Sequence, residues 1–192
     1  MYCRNLNISL SSISTLSSNI FKKSNNDFSY VFKNIINKHH NLINRTDTHN
    51  VFTIDNAETC DYDDALSIEM IDDNECILSI YITNVPLILN ELDFYPFLSE
   101  RVCNIYLPHA RHTLFPNILN NFLFSLKEND TRIAFTMDLH IKNDNIINVS
   151  FRNTIIKVFK NFYYEEKSLL ENEEYKNCFK CVMGLSKQYK YI

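Results

Sequence analysis

Four aspartates fall within ten residues of sequence: Asp55, Asp61, Asp63 and Asp64, in Val51-Phe-Thr-Ile-Asp-Asn-Ala-Glu-Thr-Cys-Asp-Tyr-Asp-Asp-Ala-Leu-Ser67. On a surface loop, water solvates each separately. Gathered at a folded site, they repel and hold raised pKa values unless a cation enters. Hard divalent cations take oxygen ligands, and Mg2+ is commonly bound by a few carboxylates, waters and substrate phosphates. The chemistry this spacing can support is metal-assisted attack on a phosphodiester. An EF-hand is excluded: its sixth position has no Gly, and the twelfth residue counted from Asp61 is Asp72, not Glu. The cluster alone leaves two readings open, a metal site and a solvated acidic turn.

The elements that must position these residues follow from the pattern of apolar side chains. Residues 51–54 read as a short strand that ends at Asp55. Ala65–Ile71 alternates as a second strand, Asp72-Asp-Asn74 is a turn, and Cys76–Val85 is a third strand, giving a hairpin. Asp63 and Asp64 are adjacent, so in extended backbone their side chains point to opposite sides. Residues 28–43 carry Phe28, Val31, Phe32, Ile35, Ile36 and Leu42 at helical spacing. Pro86 opens a helix to about Val102. Ile105–Pro116 reads as irregular, and Asn117–Phe124 as a short helix. Ile133–Ile141 and Ile146–Val158 are two long strands joined at Asn143-Asp-Asn145, and one or two helices follow from Glu165. The expected fold class is α+β, a mixed sheet with surrounding helices.

Composition narrows the class further. With 192 residues, 45% of them hydrophobic, the chain can bury one core. It has a single glycine, Gly184, so its turns must rely on Asn and Asp. No apolar run is long enough to span a membrane, and six scattered cysteines point to reduced thiols in an intracellular, cytoplasmic setting. The acid-free, Ser-containing first 26 residues have a weak organellar-transit character. Residues 51–150 carry 5 basic and 16 acidic residues, while the flanks are net +4 and +3. That division suits a cation-loaded centre with phosphate-steering edges, and equally an ordinary solvated surface.

The order of motifs resembles the catalytic (RNB) domain of the ribonuclease II superfamily. Thr53-Ile54-Asp55 followed by Asp61-x-Asp63-Asp64-Ala65 is similar to the family's first motif. Arg45-x-Asp47 resembles its lead-in and Ile80-Tyr-Ile-Thr-Asn-Val85 its buried strand. Arg101-Val-Cys-Asn-Ile-Tyr-Leu-Pro108 resembles the segment ending in Tyr-hydrophobe-Pro. Leu114-Phe-Pro116 through Leu119-Asn-Asn-Phe-Leu-Phe-Ser-Leu126 resembles the Leu-Cys-Ser-Leu element, and Thr154-Ile-Ile156 with Phe162-Tyr-Tyr-Glu-Glu166 the late strand and its exit. The resemblance divides the chain into a 1–44 extension, partly disordered then helical, and 45–192, the N-terminal half of an RNB-like domain.

The resemblance implies a processive 3′-to-5′ exoribonuclease that hydrolyses single-stranded RNA to nucleotide 5′-monophosphates with Mg2+. Asp55, Asp61, Asp63 and Asp64 match the metal-holding aspartates, with Asp61 and Asp63 placed at catalysis and Asp63 matching the most critical one. Tyr106 matches an aromatic that stacks on the last base at the 3′ end, and Arg101 joins it as an RNA-binding residue. The sequence departs from the family at Asn84, Leu87 and Val102, where an Asp, a His and a Gly are usual. The family's catalytic arginine and a second stacking aromatic belong to the other half of the domain. The expected chain is therefore a fragment or truncated form, partnered by a missing C-terminal half or downstream chain. The alternative is an inactive remnant that binds RNA or protein.

Weaker motifs remain. Cys178-Phe-Lys-Cys181 with His109 and His112 has the composition of a zinc site, but one helical turn between the cysteines fits packing as well. Arg152, Lys157 and Lys160 lie along a predicted strand and read as backbone contacts for RNA or as a solvated face.

Overall fold

The structure is a computed structural model that describes residues 29–93, 105–107, 110–115 and 119–189. They fall into two compact units. One contains His40–Asn84 and the residues from Phe124 onward, and the other contains the described residues of 29–39 and 85–123.

The larger unit is built on strands β1 (Ile43–Asn44), β2 (Val51–Asp55), β3 (Asp64–Asp72), β4 (Glu75–Thr83), β7 (Thr131–Lys142) and β8 (Asn145–Tyr163). β3 and β4 form the expected antiparallel hairpin, from Asp64 opposite Ile82 to Asp72 opposite Glu75. Its turn is held by the Asn74 amide, which donates to Asp72 Oδ1 at 2.7 Å, the local bond that makes Asp a turn former. β7 and β8 form a second hairpin. Asn143 and Asp144, at φ 50° and 60°, take its two left-handed positions, as a two-residue type I′ connection demands. The other described residues at positive φ are Asp93 and Asn129, so Asn and Asp fill these positions in a glycine-poor chain.

β8 is longer than the alternation predicts, running to Tyr163 rather than Val158. Its first part pairs with β7, and its last residues pair in parallel with β2, Phe52 opposite Lys160 to Asp55 opposite Tyr163. Since β4 also pairs with β7, the ladder closes as β2-β3-β4-β7-β8-β2. Closure places one set of alternating side chains inside. That set includes Val51, Ala65, Tyr81, Ala134, Ile156 and Val158. The opposite face carries Phe52, Ile68, Cys76, Leu78, Ile141 and Phe162, which pack with Leu169, Cys178 and Cys181 of the C-terminal helices.

Those helices are α3 (Lys167–Glu171) and α4 (Glu173–Gln188). Asn172 caps α4, its side chain accepting from the Tyr175 amide at 2.9 Å, and Glu173 and Glu174 occupy the first turn, where negative charge is favoured. Cys178 and Cys181 are thus core residues. Cys181 Sγ lies 3.6 Å from Cys76 Sγ, across the helix–sheet contact.

A polar network runs through the inner face. Arg45 reaches Asp138 with both guanidinium ends, at 2.8 and 2.7 Å, and lies over the Tyr81 ring at 5.9 Å. Ser79 donates to Asp138 at 2.7 Å, and Ser67 and Tyr81 bond at 2.8 Å. Burial alone would raise the Asp138 pKa, but the bonds from Arg45 and Ser79 outweigh it and hold the carboxyl below its ordinary value. The lead-in Arg45 is therefore a structural ion-pair residue.

In the smaller unit, helix α1 spans Ser29–Lys38 and ends earlier than the 28–43 pattern predicts. Helix α2, Val85–Glu91, carries Glu91, paired with Lys38 at 2.6 Å. Asp93 follows α2 in the left-handed region, and the rest of the expected helix, to about Val102, lies outside the described residues. Ile105–Pro116 is not wholly irregular: Ile105–Leu107 (β5) and Ala110–His112 (β6) pair as a small hairpin. The short helix expected over 117–124 is a single π-helical turn, Asn120–Phe124.

Candidate metal site

β2 and β3 deliver the acidic residues. β2 is flanked by β3 on one edge and β8 on the other, so its run Val51–Thr53 is buried. Asp55 is its last residue, and its carbonyl accepts from the Tyr164 amide at 3.1 Å, joining the ends of β2 and β8. A loop then turns at Asn56–Thr59, where the Thr59 amide donates to the Asn56 carbonyl at 2.9 Å. Asp61 and Asp63 lie on the returning limb and Asp64 opens β3. Asp55 and Asp61 are half-buried, while Asp63 and Asp64 are exposed.

The electrostatics are those of crowded like charges. Asp55 is pushed above the usual carboxylate range by burial, with Asp64 adding to it, against the lowering effect of a hydrogen bond with Thr53. Asp63 is also raised, first because surrounding protein displaces water even though the side chain reaches the surface, then by the charges of Asp64 and Asp55. Asp55 Oδ2 is buried without a hydrogen-bond partner. A buried carboxylate oxygen without a donor is costly, and a cation is the kind of group that would satisfy it. The donor set, all carboxylate oxygen, suits a hard ion. The carboxylates are not drawn into a ready-made cage: among the described residues no three His, Cys, Asp or Glu side chains converge as metal ligands.

Around the acids stand Tyr62 and Tyr163, which are hydrogen-bonded to one another. Burial is the main reason the Tyr62 phenol is raised, followed by the charge of Tyr163 and this bond. In the sequence Thr53 stands only as the first residue of the Thr53-Ile54-Asp55 motif, and Tyr62 only as the residue between two of the aspartates. Thr53 could have been found, since it lies two residues before Asp55 on the same strand face.

This is the first motif of the expected family in its expected place, a strand end followed by an acidic loop. The profile of the RNB domain matches residues 44–181. The chain belongs to the RNB-domain family. Exoribonuclease 2 of Psychromonas ingrahamii is 33% identical over 146 residues, covering 73% of this chain and 22% of that protein. Ribonuclease R of Mycoplasma genitalium, solved in complex with ribose-methylated single-stranded RNA, matches with a TM-score of 0.61 at 22% identity, over 78% of this chain and 25% of that one. Yeast Ssd1, a pseudonuclease, matches with a TM-score of 0.61 at 16% identity, over 76% of this chain and 19% of that one. At such identities the structural matches establish a shared fold. This RNB chain spans about a quarter or less of each of these proteins.

The remaining expected site residues fall elsewhere. Arg101 and His109 lie outside the described residues. Tyr106 is the middle residue of β5, its backbone opposite Arg111, in the smaller unit. Arg152 Nε stands 3.2 Å from Asp138 Oδ2 and Lys160 3.3 Å from Glu128, so both are engaged within the protein, while Lys157 is exposed. Asn84, in the place of a usual Asp, is buried and donates to Asn153 Oδ1 at 2.8 Å. Among the described residues no helix is long and apolar enough to cross a membrane.

Proposed function

We propose that this chain carries the metal-binding part of a Mg2+-dependent 3′-to-5′ exoribonuclease that hydrolyses single-stranded RNA to nucleotide 5′-monophosphates. The observation that supports it most is Asp55: a carboxylate at a strand end, with a buried oxygen lacking any donor, beside Asp63 and Asp64. Asp55, Asp61, Asp63 and Asp64 would hold Mg2+. When bound, such an ion lowers the pKa of water and offsets charge on the attacking and leaving oxygens. The protein's own part would be to present the carboxylates at one strand end and its loop, where the cation would offset their mutual repulsion, with Asp61 and Asp63 at the reacting phosphate. Tyr106 would be the residue that stacks on the terminal base, as the family resemblance implies; stacking of this kind is worth roughly 1–3 kcal/mol per base and tolerates any sequence. Arg101 would meet the RNA backbone. The arginine that offsets transition-state charge would come from the part of the relatives' length that this chain does not span, in a continuing or separate chain.

The second reading is an inactive RNB remnant that binds RNA or protein. Asn84 and Leu87 in place of the usual Asp and His favour it, as does the likeness to a pseudonuclease.

The test is single-turnover digestion of 5′-labelled single-stranded RNA in Mg2+, with protein in excess, comparing the unmodified chain with Asp63→Asn. A slow ladder shortened from the 3′ end, absent in Asp63→Asn, is expected. No shortening, or equal shortening by both, contradicts catalysis by this chain; RNA retention on a gel without cleavage selects the second reading.

A further inference from the structure

One short segment, Ser125–Glu128, grips both halves of the acidic site. Tyr62 sits between Asp61 and Asp63, and both its backbone polar groups are engaged there. Its amide donates to Ser125 Oγ at 3.0 Å, and its carbonyl accepts from the Leu126 amide at 2.9 Å. On the other side, Asn161 Nδ2 donates to the Leu126 carbonyl and to Thr53 Oγ1, each at 2.9 Å. Asn161 Oδ1 accepts from the Glu128 amide at 2.7 Å. Thr53 lies two residues before Asp55 on the same strand face, so this bond ties the end of β2 to the same segment. Ser125, Leu126 and Asn161 are 2%, 0% and 8% exposed, so water does not compete effectively for these bonds.

We infer that Ser125, Thr53 and Asn161 are positioning residues: through Tyr62 and Asp55 they fix the spacing between the end of β2 and the Asp61–Asp64 loop so that one cation can be shared. The inference rests on the metal reading above and extends it. Its physical reason is like-charge repulsion. The turn's own bonds, Thr59 to the Asn56 carbonyl and Cys60 Sγ to the Glu58 carbonyl, lie within the loop and do not tie its returning limb to the end of β2. The two arms meeting at Leu126 do, and they do so before a cation arrives, which lowers the ordering cost of binding.

The test removes each arm separately in the full chain. Ser125→Ala deletes the loop arm and Thr53→Val the Asp55 arm; Ser125→Thr and Thr53→Ser restore the hydroxyls. The readouts are Mn2+ affinity by calorimetry, hydrogen exchange of the Tyr62 amide, and the melting temperature as a check on folding. Ser125→Ala and Thr53→Val are expected to weaken Mn2+ about tenfold, within the usual range for residues that orient ligands. The restoring variants recover it, and Tyr62 exchange accelerates in Ser125→Ala. Unchanged Mn2+ affinity in both deletion variants, or unchanged Tyr62 exchange in Ser125→Ala, overturns the inference. If either variant fails to fold, the other arm decides. If the unmodified chain takes up no Mn2+, the metal reading fails on its own, and the clamp is judged by Tyr62 exchange alone.

Discussion

At the scale of single residues, opposite pKa shifts separate carboxylates that hold the fold together from those that oppose it. Asp138 is depressed in the folded chain, so its stabilising contribution is present above the unfolded value, about 3.9, and is lost as pH falls through the depressed folded value. Asp55 and Asp63 are raised, so the folded chain binds their protons more tightly than the unfolded one. Stability then declines as pH rises from the ordinary carboxylate range through the raised values. Metal-free Asp55→Asn is therefore expected to melt a few degrees higher than the unmodified chain at neutral pH, and to lose stabilisation by Mg2+. A lower melting point without metal would contradict the crowding. Arg45→Met leaves the buried Asp138 carboxylate with only Ser79 and the half-exposed Arg152 and is expected to cost about 3 kcal/mol, the lower end of the usual penalty for breaking a buried pair from one side. Urea unfolding measures it, and a loss below about 1 kcal/mol, typical of an exposed pair, would contradict the pairing.

At the scale of elements, much was legible because the signals were local. Alternation and the Asp72–Asn74 and Asn143–Asn145 turns predicted both long hairpins, apolar spacing predicted α1, and the charged, proline-free stretch from Glu165 predicted the C-terminal helices. What was hidden depended on partners distant in sequence. β8 continues past Val158 because β2, over a hundred residues earlier, offers an edge to pair with. Arg45 is explained by Asp138, 93 residues away. β5 and β6 are three residues each, too short for alternation to register. The hairpin turn yields a prediction of its own. Asp144 sits at φ 60°, and one of its carboxylate oxygens would lie 2.1 Å from a Cβ built on Gly184. Asp144→Gly creates the Asn-Gly pair favoured in such turns and removes the left-handed penalty. It is expected to raise stability by up to about 1 kcal/mol by urea unfolding, whereas a loss would show that the Asp144 side chain stabilises the turn.

At the scale of the whole molecule, the four aspartates and their strand-end setting could be read from spacing, but the devices that hold them could not. Ser125 stands out in the sequence only as part of the Leu-Cys-Ser-Leu-like element, with no link to the aspartates, and Asn161 not at all. They matter because closure of the ladder brings β8 and the segment before β7 against the acidic loop. The same closure leaves Asp55 Oδ2 without a donor, the point on which the account turns. The most direct measurement is calorimetric titration of the metal-free chain with Mg2+, alongside Asp55→Asn and Asp63→Asn. The account predicts saturable binding by the unmodified chain that both substitutions weaken at least tenfold. Absence of binding, or equal binding by all three, would contradict it.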